Sequence, residues 1–342
     1  MEQSAAARRL GAASALVRGG SKAPGVGAVV AELGATVAHA HNMLPLIGPR
    51  GLAAARAAGT GVVLHLHNVR LFCATGFGER EGAPCARCRG RRTLPGLVLN
   101  CRRSLPEAAA YATALWLHQP GVMDTVDRFV TPSAWAADRV AWLGLPREQV
   151  QPLRHYLPAE VVADRSRAAE GEYALVLSRL SPEKGIDDAI GAAAAAGVPL
   201  RIAGDGPERN RLVDLAARTG SSVELLGRVS PARATELLRG AAMVLMPSHY
   251  HEFSPYSALE AMAQGVPVVA TAMGGLPELL GDGRCVPLGD GNAFAAQVAA
   301  LWTDPRRREA EGEELIARVR ANHSEERFTR ELLQLYREVA RG

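Results

Sequence analysis

Residues 248–265 read Ser-His-Tyr-His-Glu-Phe-Ser-Pro-Tyr-Ser-Ala-Leu-Glu-Ala-Met-Ala-Gln-Gly, a polar loop running into a helix-forming stretch. Ser254 is a natural helix cap and Pro255 a natural first helical residue, so the spacing predicts a helix starting there. The unpaired N–H groups and the dipole of such a start attract phosphate. Glu260, more than one turn further on, can face the same crevice and accept hydrogen bonds from a diol such as ribose. Glu252, in the loop before it, reaches toward whatever the phosphate carries, with Phe253 beside it. A second element, Ser178 to Gly185, places Arg179 and Lys184 five residues apart, two cations suited to a pyrophosphate. At Gly204-Asp-Gly-Pro207 and at Gly274-Gly275, tight turns let a backbone approach a ligand closely.

These elements need a frame, and the apolar pattern supplies one. From Tyr173 onward, short apolar runs (Ala174–Leu177, Leu200–Ala203, Val223–Leu226, Met243–Met246, Val266–Val269) alternate with helix-length segments such as 207–219 and 231–240. Each run is bounded by Gly, Ser or Pro, the punctuation of buried strands. Repeated βα units build a parallel sheet covered by helices, a Rossmann-like half whose ligand crevice lies at the carboxyl ends of its strands. Earlier segments use the same grammar: helices near 25–33 and 51–58, strands at 36–39 and 61–65, a helix over 105–117 and a strand at 127–130. Residues 72–104, rich in Cys, Gly and Arg and without periodicity, read as an insertion or loop. The polar stretch 158–172, with six charges, is expected to be a linker, and 324–342 a terminal amphipathic helix with Phe328, Leu332, Leu333 and Tyr336 on its apolar side. The expected division is therefore 1–157, the linker, 173–323 and the terminal helix.

At 342 residues, 48% hydrophobic and 22% charged, the chain has the composition of a folded globular protein and excludes disordered or fibrous structure. A formal charge of +4 gives no sign of a nucleic-acid partner. No apolar run approaches the roughly 18 residues of a membrane span, and the Ala-rich start, interrupted by Arg8, Arg9 and Arg18, lacks a signal-peptide core. A cytoplasmic protein is the expectation.

In order along roughly 173–303 stand Arg179 with Lys184, Gly204-Asp-Gly-Pro207, Leu226-Gly-Arg228-Val229, Pro247-Ser248, Glu252 to Glu260, Ala261 to Val269 and Gly274-Gly-Leu-Pro-Glu278. This series resembles the donor domain of glycosyltransferase family 4, retaining transferases of the GT-B fold. The resemblance implies an α/β chain of two Rossmann-like domains facing a cleft, and a nucleotide-sugar donor, a UDP- or GDP-sugar. It implies that Arg179 and Lys184 hold the pyrophosphate beside Gly204 and the Phe253-Ser254-Pro255 helix start, that Glu260 holds the ribose hydroxyls, and that Glu252 contacts the transferred sugar. Arg228 and Val229 would lie beside the base, and His67, before Asn68, resembles the family's histidine that faces the donor sugar. No catalytic metal is expected. The first domain is expected to be shortened, because a glycine-rich loop following an initial strand is not evident before Thr36.

Residue type alone favours plainer readings: a solvent-facing Glu260, ordinary surface charges at 179 and 184, and satisfied core histidines at 39, 41 and 65. His249 and His251 have only proximity to Glu252 in their favour. The ordered series reverses the first two of these. Cys73, Cys85, Cys88 and Cys101 present C-x11-C-x2-C-x12-C, one metal-type knuckle in an unperiodic loop, so structural zinc is weighed against free thiols, with Cys285 read as a core residue. The six arginines between Arg87 and Arg103, with no carboxylate among them, can meet an anionic membrane surface or form a solvated basic loop. The leading functional reading is a hexosyltransferase-type retaining transferase acting on a glycan, lipid-linked or small-molecule acceptor. A non-catalytic nucleotide-sugar-binding subunit needing a partner chain, and a nucleotide-sugar epimerase, are the alternatives.

Overall fold

The structure, a computed structural model, describes residues 5–341 apart from 82, 221 and 282, with side chains from residue 11 onward, so Arg8 and Arg9 lie outside the described side chains. The chain forms two compact units, one of Met1–Arg80, Cys85–Leu153 and Arg330–Gly342, the other of Glu81–Pro84 and Arg154–Thr329.

In the first unit, strands β1 (Val37–His41), β2 (Gly61–His65), β3 (Arg128–Thr131) and β4 (Val150–Pro152) form a parallel sheet in that order. Around it are helices α1 (Ala5–Arg18), α2 (Ala23–Glu32), α3 (Gly48–Ala57), the short α4 (Leu94–Val98), α5 (Leu105–Thr125) and α6 (Ala134–Leu143). The central strand β2 is buried along its whole length, the pattern of a parallel strand covered on both faces. Asp127, just before β3, accepts two hydrogen bonds from Arg56 and one from the Val62 N–H, each at 2.8 Å, and one from Arg341 at 3.0 Å. Burial alone would raise its pKa; the Val62 N–H and Arg56 outweigh burial and hold it below the usual carboxylate value. Helix α5 runs eight residues beyond the 105–117 expected, with Pro120 inside it. Proline has no N–H to give the carbonyl four residues back, and that carbonyl, on Trp116, accepts instead from Arg91 Nε at 3.3 Å.

The second unit is a six-stranded parallel sheet: β5 (Tyr173–Leu177), β6 (Leu200–Ala203), β7 (Val223–Gly227), β8 (Ala241–Met246), β9 (Val268–Thr271) and β10 (Cys285–Val286), in spatial order β10-β9-β8-β5-β6-β7. Alternate strand residues enter opposite cores. Leu175, Val244, Met246, Val268 and Ala270 pack with α9 (Pro231–Arg239), α10 (Tyr256–Ala263), α11 (Leu276–Leu280) and α13 (Pro305–Asn322). Ala174, Val176, Met243, Leu245 and Val269 pack with α7 (Ile186–Ala196), α8 (Arg209–Thr219) and α12 (Gly291–Thr303). The period-two split puts helices on both faces of one sheet.

The 158–172 stretch, expected as a linker, lies in the second unit and is bonded into it. Ala163 N–H donates to the Ala263 carbonyl at 2.8 Å, and Ser166 Oγ to the Gly265 carbonyl at 2.6 Å. A Cβ on Gly312 would stand 2.1 Å from that carbonyl oxygen, so only glycine permits the approach. Arg308, 4% exposed, donates to the carbonyls of Ala168, Ala169, Leu301 and Trp302. Charge composition marks a segment as polar but does not reveal that its carbonyls are anchored by a distant arginine. The last helix, α14 (Glu325–Val339), begins with Ser324 Oγ accepting from the Arg327 N–H at 3.3 Å. The chain passes back to the first unit within it, after Thr329, and there Tyr336 Oη meets His39 Nδ1 at 2.8 Å.

Arg308→Ala strands these buried carbonyls. The second unit should lose about 3 kcal/mol or more of unfolding free energy in urea titrations followed by circular dichroism.

Candidate functional site

Strand order reverses between β5 and β8 in the second unit: β6 and β7 extend to one side, β9 and β10 to the other. Open parallel sheets bind ligands at such a switch point, outside the carboxyl ends of the strands. The two chemical elements of the sequence occupy it, since Ser178–Gly185 follows β5 and Ser248–Glu260 follows β8.

The two loops are joined at several points. Gly185 lies at φ +61°, and a Cβ there would stand 2.1 Å from the Pro247 carbonyl oxygen. The His249 N–H donates to the Glu183 carbonyl at 2.9 Å, and His249 Nε2 meets Asp188 at 2.6 Å. Lys184 Nζ donates to Glu252 Oε1 at 2.7 Å and to Tyr250 Oη at 3.0 Å. Ser248 Oγ also donates to Oε1 at 2.9 Å, and Tyr250 Oη to Oε2 at 2.6 Å. Burial first, and the Glu252 charge second, push the Tyr250 phenol well above its ordinary pKa, so it remains a donor to the carboxylate.

Sequence spacing alone assigns Lys184 and Glu252 to different parts of a ligand; the structure binds them to each other. Glu252 is 4% exposed. Its backbone pairs with Gly274, and its carbonyl accepts from the Gly275 N–H at 2.7 Å. A Cβ on Gly274 would fall 2.1 Å from that carbonyl oxygen. Gly204 and Gly206 likewise make room for protein: Cβ atoms there would lie 1.8 Å from the Ser178 carbonyl oxygen and 2.2 Å from that of Leu180. The close approaches expected at both glycine turns are thus filled by neighbouring loops.

Helix α10 begins at Tyr256 with Pro255 in the capping position, one residue later than the start expected from Ser254 and Pro255. Phe253 and Ser254 are buried beneath the turn. Glu260 is exposed on α10, yet the protein around its carboxyl raises its pKa by desolvation. Arg179 is exposed and, among the described residues, has no ion pair. Arg228 is exposed after β7, and Val229 rests against the core. Tyr250, Ser248 and His249 complete the arrangement and were not singled out as binding residues by spacing. Ser248 stood in the ordered series as part of Pro247-Ser248, and proximity to Glu252 was the only sequence signal for His249 and Tyr250, because side-chain bonding among neighbouring residues has no period.

His67 belongs to the first unit. His39 and His41 alternate on β1, His65 ends β2 with His67 two residues beyond, and the register sets His41 opposite His65. Two-residue spacing therefore places all four on one face. The His65 and His67 rings stack with 4.4 Å between centroids, those of His41 and His65 are tilted by 32° at 4.7 Å, and His41 Nδ1 meets His67 Nε2 at 2.9 Å. Nitrogens of His39, His41 and His65 come within 4.8 Å of one another. Burial, reinforced by neighbouring rings, lowers the pKa of His67 and holds that of His39 down to about 4.

This two-unit arrangement has the GT-B fold of glycosyltransferases. The Anabaena HepE protein in complex with UDP superposes with a TM-score of 0.69 at 16% identity, over 92% of this chain and 82% of that one. Sucrose-phosphate synthase from Thermosynechococcus elongatus gives 0.70 at 19% identity, over 91% and 75%. Residues 161–317, which include the whole switch point, match the family model of the group 1 glycosyl transferases. The glycogen synthase of Mycobacterium tuberculosis is 32% identical over 194 residues, 52% of this chain and 46% of that protein. The D-inositol 3-phosphate glycosyltransferase of Corynebacterium urealyticum is 34% identical over 154 residues, 42% and 36%. The chain thus spans about half the length, or less, of these relatives. Among the described residues no helix is long and apolar enough to cross a membrane.

The neutral histidine stack carries a pH dependence. His39, His41 and His67 have lowered pKa values in the folded state, so below the unfolded value of 6.5 the unfolded chain binds more protons. The contribution of the stack to stability should be constant above pH 6.5 and fall between there and about pH 4, where His39 protonates in the folded state. A loss on the order of 2 kcal/mol, after discounting for solvent near the stack, should appear in denaturant titrations and shrink in His39→Gln.

Proposed function

We propose that the chain is a retaining glycosyltransferase of the hexosyltransferase type, moving a sugar from a UDP- or GDP-sugar to an acceptor hydroxyl. The switch point carries this reading: an unpaired arginine, a lysine with donor capacity to spare and the start of α10 stand on two joined loops at the place where parallel sheets receive phosphates. Arg179 and the third N–H of Lys184 hold the pyrophosphate; two of that ammonium's donors are already engaged. Glu260 accepts from the ribose hydroxyls. Arg228 and Val229 border the base. Glu252 fixes Lys184 and keeps acceptor capacity toward the sugar on Oε2.

Retention follows if the departing phosphate takes the acceptor proton on the face from which it leaves. Arg179, Lys184 and the helix start then stabilise negative charge on the leaving group, and Glu252 the positive charge developing on the ring. No metal enters this scheme. That HepE binds UDP, and that the relatives are synthases and glycosyltransferases, supports the donor class.

Calorimetry with UDP and GDP tests the site. Glu260→Ala and Arg179→Ala should each weaken nucleotide binding about 10-fold or more, the loss of a charge-assisted hydrogen bond. Lys184→Ala should weaken it at least several-fold while also leaving Glu252 unpaired. Equal binding by all three would remove the assignment. Tight nucleotide binding with neither transfer nor donor hydrolysis would favour the non-catalytic subunit instead.

A lipid-linked acceptor is favoured by one face of the first unit. Arg87, Arg89, Arg91 and Arg92 are exposed there beside Leu94, Val98 and Trp116, which are 63%, 71% and 51% exposed. The Arg89 guanidinium lies 4.1 Å from the centre of the Trp142 ring, and that of Arg91 lies 4.7 Å from the Trp116 ring. Cations among exposed apolar and indole groups suit an anionic membrane surface. The protein should sediment with phosphatidylglycerol vesicles in low salt, not with phosphatidylcholine, and the Arg89→Glu/Arg91→Glu variant should lose this; equal sedimentation of the variant would exclude the face.

A further inference from the structure

The four cysteines of the irregular loop are distant in sequence and adjacent in space. Cys73 lies in the loop that follows β2, Cys85 and Cys88 form the knuckle, and Cys101 follows α4. All four line one cavity of about 20 Å³, closed by Val69, Phe72 and Leu143. We propose that Cys73, Cys85, Cys88 and Cys101 form a structural zinc site that closes the 73–101 loop.

The surroundings are those of a thiolate cluster. The Gly96 backbone N–H faces the Cys88 sulfur, and Arg80 donates to the Cys101 sulfur. Arg139 stands beside Cys85 and reaches its carbonyl at 3.5 Å. A zinc ion with four thiolates carries a net charge of −2, and two neighbouring arginines offset it, as outer-shell groups of metal sites do. Among the described residues the ligand atoms mutually within 4.8 Å are those of the histidine group, so the thiols stand wider than zinc at about 2.3 Å would hold them. Binding draws them inward. The loop has a structural need for this, since its longest regular element is the five-residue α4. It also carries Arg87 to Val98, the basic and apolar face described above.

Elemental analysis of protein purified without chelator should give about one zinc per chain, released into a chromogenic chelator as the thiols are titrated with a mercurial. Cys85→Ser/Cys88→Ser should lose the metal, while Cys285→Ser, altering a thiol of the second unit outside the cavity, should retain it. Because the double variant can fail to fold, metal content and mercurial release in the unaltered chain stand as the independent measurement. Protein without metal, iron with visible absorption, or an intact mass lowered by disulfide formation would each overturn the site.

Discussion

Lys184 and Glu252 meet at 2.7 Å with their side chains only 19% and 6% exposed. Removing either leaves the other as a poorly solvated charge, which costs far more than the pair itself gains. The switch point is built around this constraint. The loop after β5 must bring Lys184 inward, and the loop after β8 must bring Glu252 to meet it. Gly185 lets the first loop touch Pro247, and Gly274 lets a third loop touch Glu252. Ser248 and Tyr250 use their hydroxyls to satisfy the carboxylate that the lysine alone would leave half bonded.

The pair also divides the labour of the site. A lysine neutralised by a carboxylate contributes direction more than charge, so in the proposed function attraction of an anion falls more heavily on Arg179 and on the first turn of α10. Residues with separate ligand contacts in a linear reading become, in three dimensions, a positioning layer of Glu252, Tyr250, Ser248 and glycine backbones under a presenting layer of Arg179 and Glu260.

The first unit solves a different problem. Its loop between β2 and α5 has little backbone pairing of its own and is tied down by side chains. Gln119 Nε2 donates to the Leu71 carbonyl, Thr93 Oγ1 to that of Ala112, and Arg80 to that of Leu99. Pro120 frees the Trp116 carbonyl that Arg91 then takes, so a helix defect and a basic loop complete each other. Four thiols are gathered in the midst of these bonds.

Strands in the second unit were legible because a parallel strand covered on both faces is a short, uninterrupted apolar run, as at Ala174–Leu177 and Met243–Met246. The order of motifs along the chain was legible too, and with it the family resemblance. Linear spacing could also have shown the four histidines sharing a face, since period two is a local property. What only tertiary structure decided is which residues face each other. The 158–172 segment reads as a polar connector but is held by Arg308, some 140 residues away. Lys184 reads as a ligand group but is claimed by Glu252, and the glycines of two turns, legible as close approaches, admit protein backbone. Such pairings join residues far apart in sequence, and their energy lies in burial and bond geometry that no one-dimensional period records.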